Sequence, residues 1–291
     1  MPVDLNHAYR FCKEIAVSHY ENFPVGSLLI PSSKRKYIYS LYAFARHADD
    51  IADSDKYTED EKIYLLNNLE TELDKIQSND LKSLLHGNQN IFYALSHTIS
   101  TLEIPIQEFR NLLTAFRQDS VKQKYENFDE LIDYSSLSAN PIGHLVLYVF
   151  GYDQERNKII FNYSDKICTA LQLTNFWQDV SVDLKINRVY IPEKIMKVFG
   201  YSGNMLNEKI QNDNFRKVIK HLVEKTRFIF EEGKEITDHL NGRLRLELKA
   251  TIAGGMEILN KIEKINFNVL NVRVSINTID KLKLFGNIIW R

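Results

Sequence analysis

Very little in this chain turns it sharply. Its 291 residues include only 6 prolines and 11 glycines, which argues against a fold built from many tight turns and for long helices. The 2 cysteines, Cys12 and Cys168, lie far apart and match no C-x-x-C spacing. That excludes a cysteine metal site of the usual kind, and both are expected as buried thiols. Charge of one sign is lacking too: 37 basic and 38 acidic residues leave a formal net charge of −1. No overall field therefore calls for a nucleic-acid partner. No run reaches the roughly 18 apolar residues of a membrane span. The opening "MPVDLNHAYRFCKE" has no apolar signal core, so a cytoplasmic protein is expected.

What is present is helical periodicity over most of the length. It predicts helices near 4–20, 32–54, 58–77, 89–100, 105–121, 128–150, 155–184, 205–240, 243–264 and 276–288. Turn chemistry separates them at Pro24-Val25-Gly26, Pro31-Ser32-Ser33, His86-Gly87-Asn88, Pro105, Gly151-Tyr152-Asp153 and the loop from Lys185 to Pro192. The chain exceeds the usual domain length of about 100–200 residues. It shows no linker, repeat or low-complexity tract. The expected fold class is all-α: one helical domain over residues 1–291.

Two helical stretches carry acids within their pattern, "SLYAFARHADDIADS" and "ALQLTNFWQDVSVDLKINRVYIP". An α-helix advances about 100° per residue, so with Tyr42 at zero Arg46, Asp49 and Asp53 fall at about 40°, 340° and 20°. They share one stripe, while Asp50 is expected to point elsewhere. With Gln172 at zero, Asn175, Asp179 and Asp183 fall at about 300°, 340° and 20°, a second stripe. Like charges four residues apart cost a helix roughly 0.2–0.5 kcal/mol unless a cation meets them. Mg²⁺ is a suitable cation, because it takes oxygen ligands and joins one or two carboxylates to substrate phosphates. Arg46 and Arg188 add donors for a diphosphate. A single D-x-x-x-D is ordinarily a solvated face; two, each within an apolar helix, point to a clamp.

At these residues the chain resembles the squalene and phytoene synthase family, the head-to-head isoprenoid synthases, from about His7 to Phe285. The blocks "YAFARHADDIAD", "YSSLSANPIGHLVL" and "LQLTNFWQDVSVDLKINRVYIP" carry the resemblance, with "GGMEILNKIEKINFNVLNVRVS" as a weaker fourth. Within the family it is most similar to bacterial hydroxysqualene synthases of hopanoid biosynthesis, through "HYENFPVGSLLIP", "SANPIGHLVL" and "CTALQLTNFWQDVSVD". The resemblance implies a helical isoprenoid-synthase bundle around a central apolar cavity. It also implies Mg²⁺ on Asp49, Asp53, Asn175, Asp179 and Asp183, and diphosphate contacts from Arg46, Gln172, Arg188 and Tyr190. Tyr42 and Tyr134 match tyrosines lining the reaction cavity, and Phe23 an aromatic near its entrance.

The implied substrate is presqualene diphosphate, ionised, rearranged and captured by water to hydroxysqualene without a nicotinamide. Tyr134, Ser138 and Asn140 are the polar candidates for placing that water, and His47 and His144 are expected as structural histidines. Apolar substrate tails imply peripheral membrane contact. Presqualene diphosphate, dehydrosqualene or phytoene synthesis from two prenyl diphosphates is the alternative, and a non-catalytic helical scaffold the alternative of another class. The second motif lacks the D-D-x-x-D or Asn-Ser/Thr-Glu pattern of head-to-tail prenyltransferases and terpene cyclases. Two departures from the family stand out. Asn187 begins N-R-V-Y where G-R-x-Y is common, and a tyrosine of the C-terminal helix aligns near Gly255.

Overall fold

The structure, a computed structural model, describes residues 4–18, 29–84, 87–277 and 280. Its helices are α1 (Leu5–Ser18), α2 (Ser32–Ala52), α3 (Glu59–Gln77), α4 (Gln89–Leu102), α5 (Gln107–Val121), α6 (Phe128–Ser138) and α7 (Asn140–Phe150). There follow α8 (Lys158–Asp183), α9 (Glu193–Val198), α10 (Gly203–Asn207), α11 (Asp213–Gly233), α12 (Ile236–His239) and α13 (Gly242–Lys264). Among the described residues strand-like pairing is limited to an isolated parallel bridge between Lys124 and Val189. The fold is all-α. No helix among the described residues is long and apolar enough to cross a membrane.

The chain forms two compact units, residues 1–121 with 141–158, and residues 122–140 with 159–291. In the first, α2 buries Ile38, Leu41, Phe44, Ala48 and Ile51 along one side, the i, i+3, i+7 spacing of a core-facing stripe. Each large apolar side chain so buried contributes about 1.5–3 kcal/mol. Phe44 meets the rings of Phe92 and Phe109 edge-on, at 5.9 and 5.3 Å between centroids. A buried hydroxyl chain ties α1, α2 and α4 together: Thr98 Oγ1 lies 2.9 Å from the Tyr9 hydroxyl and 2.7 Å from Ser40 Oγ. Such groups are tolerated in a core because each finds a partner. Thr58 and Glu61 start α3 as a reciprocal capping box.

In the second unit α8 packs against α11 and α13. Trp177, fully buried, donates its indole N–H to Thr226 Oγ1 at 2.8 Å. Gly255 on α13 sits so close to its neighbours that an added Cβ would lie 2.6 Å from Phe230 Cζ and 3.0 Å from Leu171 Cδ2. This position therefore has no room for the tyrosine aligned near it. Gly255→Ala is expected to lower stability by about 1–3 kcal/mol through overpacking, read as a reduced melting temperature. An unchanged melting temperature would mean that Phe230 yields freely.

Two of the expected helices are divided in the structure, and one further helix is added. The stretch 128–150 is two helices, broken at Ala139 (φ −111°), because Pro141 lacks an N–H and restricts the residues just before it. The stretch 205–240 is broken by Lys209 at φ 53° and by Asn212, whose side chain caps α11 by accepting from the Phe215 N–H. Helix α9 lies in a stretch where no helix was expected. The helix expected over 276–288 lies almost wholly outside the described residues. Of the two cysteines, Cys12 is fully buried, with burial pushing its thiol up to about 12. Cys168 is only partly buried; it lies on the face of α8 away from the fully enclosed Ile167 and Ala170.

Candidate active site

The first acidic stripe closes α2. Asp49 and Asp50 occupy its last turn, Asp53 is its C-cap, and no basic residue stands in that turn. A helix C-terminus carries partial negative charge, so the acids sit where the helix itself disfavours them. Arg46, one turn back, answers both neighbours: its Nη1 is 3.4 Å from Asp49 Oδ2, and its Nη2 pairs with Asp50 Oδ1. Asp50 thus shares Arg46 with Asp49. On the wheel it lies about 40° from Arg46 and Asp49 about 60°, so the arginine stands between them. Partial burial works against the Arg46 charge, but the hydrogen bond to Asp50 and the nearby Asp49 more than offset it and hold the guanidinium above its ordinary value. Tyr42 is buried at 8% exposure and lies within the same field. Burial pushes its hydroxyl up, Arg46 pulls it down, and Asp49 and Asp50 add to the rise.

The second stripe also closes a helix. Asn175 is exposed on α8, Gln172 and Asp179 are partly buried, and Asp183 is the last residue of the helix. Asp179 is engaged by a residue that periodicity did not nominate. Arg273 donates from Nε to Asp179 Oδ1 at 2.5 Å and from Nη2 to Oδ2 at 3.3 Å. Two parallel donors on one carboxylate are the fork geometry in which arginine is strongest. The segment carrying Arg273 is fastened next to this pair, because Gln178 Nε2 donates to the Val274 carbonyl at 2.7 Å.

Beyond α8 the chain turns at Asn187, in left-handed conformation at φ 59°, a shape asparagine adopts more readily than most residues. It thus does the work of the glycine common there. The loop then carries Arg188 and Tyr190 back along residues 122–126. The Val189 N–H donates to the Gln123 carbonyl at 2.8 Å and the Glu193 N–H to the Tyr125 carbonyl at 3.0 Å. Tyr190 stacks on Phe176 at 3.9 Å between centroids and 8° between planes. Its ring also lies 5.5 Å from Tyr125 and 6.1 Å from Tyr134. Phe176, one residue beyond Asn175, thus packs on two candidate site residues, Tyr190 and Tyr134.

A family model described as squalene/phytoene synthase matches residues 16–280. The chain belongs to the squalene/phytoene synthase family. It is 32% identical over 253 residues to a hydroxysqualene synthase of Sinorhizobium fredii, covering 85% of this chain and 81% of the relative. It is 26% identical to a 15-cis-phytoene synthase of Synechocystis, over 98% of this chain and 85% of that one. Among solved structures it is similar to a squalene synthase of Alicyclobacillus acidocaldarius, with a TM-score of 0.82 and 34% identity over 92% of this chain and 97% of the other. The squalene/phytoene synthase is accordingly an enzyme, an isoprenoid synthase, and its family acts on prenyl diphosphates with divalent cations.

The structure assigns the synthase's candidate residues to both units. Tyr42, Arg46, Asp49 and Asp53 lie in the first; Tyr134, Gln172, Asn175, Asp179, Asp183, Arg188 and Tyr190 lie in the second. Phe23 lies outside the described residues. Among the described residues no three or more His, Cys, Asp or Glu side chains gather in metal-holding geometry. The oxygen donors still suit Mg²⁺, which needs only one or two carboxylates beside phosphate and water; at Asp179 a metal ion would take the place that Arg273 holds in this structure. His144 is structural in the expected sense, with Nδ1 3.0 Å from Glu108 Oε1 in a buried pair. Burial holds His47 below its ordinary value, against the pull of Asp50. Asn140 accepts from Thr169 at 3.1 Å, and Ser138 Oγ is buried with no hydrogen-bond partner among the described residues.

Proposed function

We propose that this synthase converts presqualene diphosphate to hydroxysqualene and diphosphate, with Mg²⁺ held by Asp49, Asp53, Asn175, Asp179 and Asp183. The observation that carries this reading furthest is that the acids of both motifs close their helices, Asp49 and Asp53 on α2 and Asp179 and Asp183 on α8, with Arg46 beside the first pair. The relative named hydroxysqualene synthase favours the particular reaction. Mg²⁺, when bound, neutralises charge that builds on the leaving diphosphate.

The side chains supply the rest. Arg46, Gln172, Arg188 and Tyr190 donate hydrogen bonds to the diphosphate oxygens and orient it, so that the departing C–O bond leaves its electron pair on an oxygen already held by donors. The cyclopropylcarbinyl cation rearranges beside the aromatic rings of Tyr42 and Tyr134, whose faces stabilise positive charge and exclude bulk water. One water then forms the new C–O bond and loses a proton. An apolar product calls for peripheral contact with a membrane.

The deciding experiment is product analysis with presqualene diphosphate and Mg²⁺ in the absence of reductant. Hydroxysqualene is the expected product. The similarity to a phytoene synthase over nearly the whole chain favours condensation of two prenyl diphosphates as the second reading. Turnover of farnesyl diphosphate alone, with presqualene diphosphate left untouched, would establish that reading and sink the first.

A further inference from the structure

We infer that Tyr125 is a positioning residue: it forms one wall of a stack that fixes Tyr190, and with it the loop that presents Arg188. The inference rests on the proposed role of Arg188 and Tyr190 toward a diphosphate, and goes beyond it by naming what holds them. Tyr125 belongs to neither acidic motif and lies 2% exposed in the stretch between α5 and α6.

Three observations converge on it. Its ring is 5.5 Å from that of Tyr190 at 25° between planes, and 5.8 Å from Tyr134 at 67°. One tyrosine therefore touches two candidate site tyrosines. Phe176 covers Tyr190 on a second contact at 3.9 Å, so the Tyr190 ring has aromatic neighbours from both the 122–126 segment and α8. Tyr125 is itself held from its other surroundings. The Lys122 ammonium sits 4.5 Å above its ring and reaches Glu130 Oε2 at 2.7 Å, and its own carbonyl accepts the Glu193 N–H. A buried ring so restrained has few orientations left to it. Tyr190, and Arg188 two residues earlier, inherit that order.

The loop offers its own probe. Trypsin cuts after Lys185 and Arg188, and a protease needs the backbone to leave its tethers, so the cutting rate at Arg188 reports how firmly the loop is held. Tyr125→Leu keeps a buried apolar group but removes the stack, worth roughly three- to tenfold in the equilibrium between held and released loop. The expected result is a rise of that size in cleavage after Arg188 and a matching rise in KM for the prenyl diphosphate, with kcat little changed. Tyr125→Phe, which keeps the ring, should restore both.

A melting temperature that falls while Arg188 cleavage and KM stay at the wild-type level makes Tyr125 a plain core residue and overturns the inference. Should Tyr125→Leu fail to fold, Phe176→Leu tests the other contact of Tyr190, with the same expected loosening; failure of both to fold also overturns it. If the wild-type protein turns over no prenyl diphosphate, the functional reading falls, and the cleavage comparison still decides whether Tyr125 positions the loop.

Discussion

Asp179→Ala is expected to lower Mg²⁺-dependent turnover by at least about 10²–10³-fold, the scale on which losing one preorganised electrostatic group is felt. Asp179 combines two properties. It lies on the acidic stripe of α8, and both its oxygens are addressed by the Arg273 fork. Alanine removes the carboxylate proposed to hold the metal and leaves Arg273 without its partner, so the local charge becomes more positive at the proposed cation site. The fold should survive. The Arg273 side chain is 51% exposed, and ion pairs of that kind contribute about 0–1 kcal/mol. Kinetics at saturating Mg²⁺, beside a thermal melt, measure both quantities. Wild-type turnover would remove Asp179 from the cation site, and loss of the folded transition would recast it as structural.

The second large effect is expected at Asp53, with opposite signs for activity and stability. Asp53→Asn should lower turnover by about 10²-fold or more by removing a charge from the proposed cation site. It should also keep or raise stability. Asp53 is exposed at the C-terminal end of α2, where removing a negative charge relieves roughly 0.3–1 kcal/mol of unfavourable interaction with the helix dipole. Relief of repulsion with Asp49 one turn earlier adds roughly 0.2–0.5 kcal/mol. Thermal melts of the purified variant and steady-state assays test the two halves separately. A drop of several degrees would show that Asp53 serves the fold, and unaltered kinetics would show that it does not serve the reaction.

Both acidic stripes were legible because a helical repeat places residues 3 and 4 apart on one side whatever surrounds them. The wheel also accounts for the Arg46–Asp50 pair, through the small angle between the two. What the wheel cannot register is a segment arriving from elsewhere. Arg273 lies in an irregular stretch after α13 and meets Asp179 across 94 positions of chain, so no local spacing announces it. Phe176 points about 100° away from Asn175 on the helix, which marks it for packing. Only the return of the loop after Asn187 shows what it packs on. Gly255 is similar: composition marks it as a helix-weakening residue, and only the nearness of Phe230 and Leu171 explains it. The two boundary errors had local signals, Pro141 and Asn212, outweighed in the reading by apolar periodicity on both sides.

The tethers of the loop after α8 have a consequence for how this enzyme can vary over generations. They run from the main-chain N–H groups of Val189, Glu193 and Lys194 to the carbonyls of Gln123, Tyr125 and Glu126, and every residue but proline supplies both kinds of group. The exposed side chains at Gln123 and Lys124 can therefore be exchanged while the anchorage persists. Mutational drift can sample new surfaces around the loop at little risk to the placement of Arg188, which makes this short clasp a tolerant frame within which substrate preference can diversify.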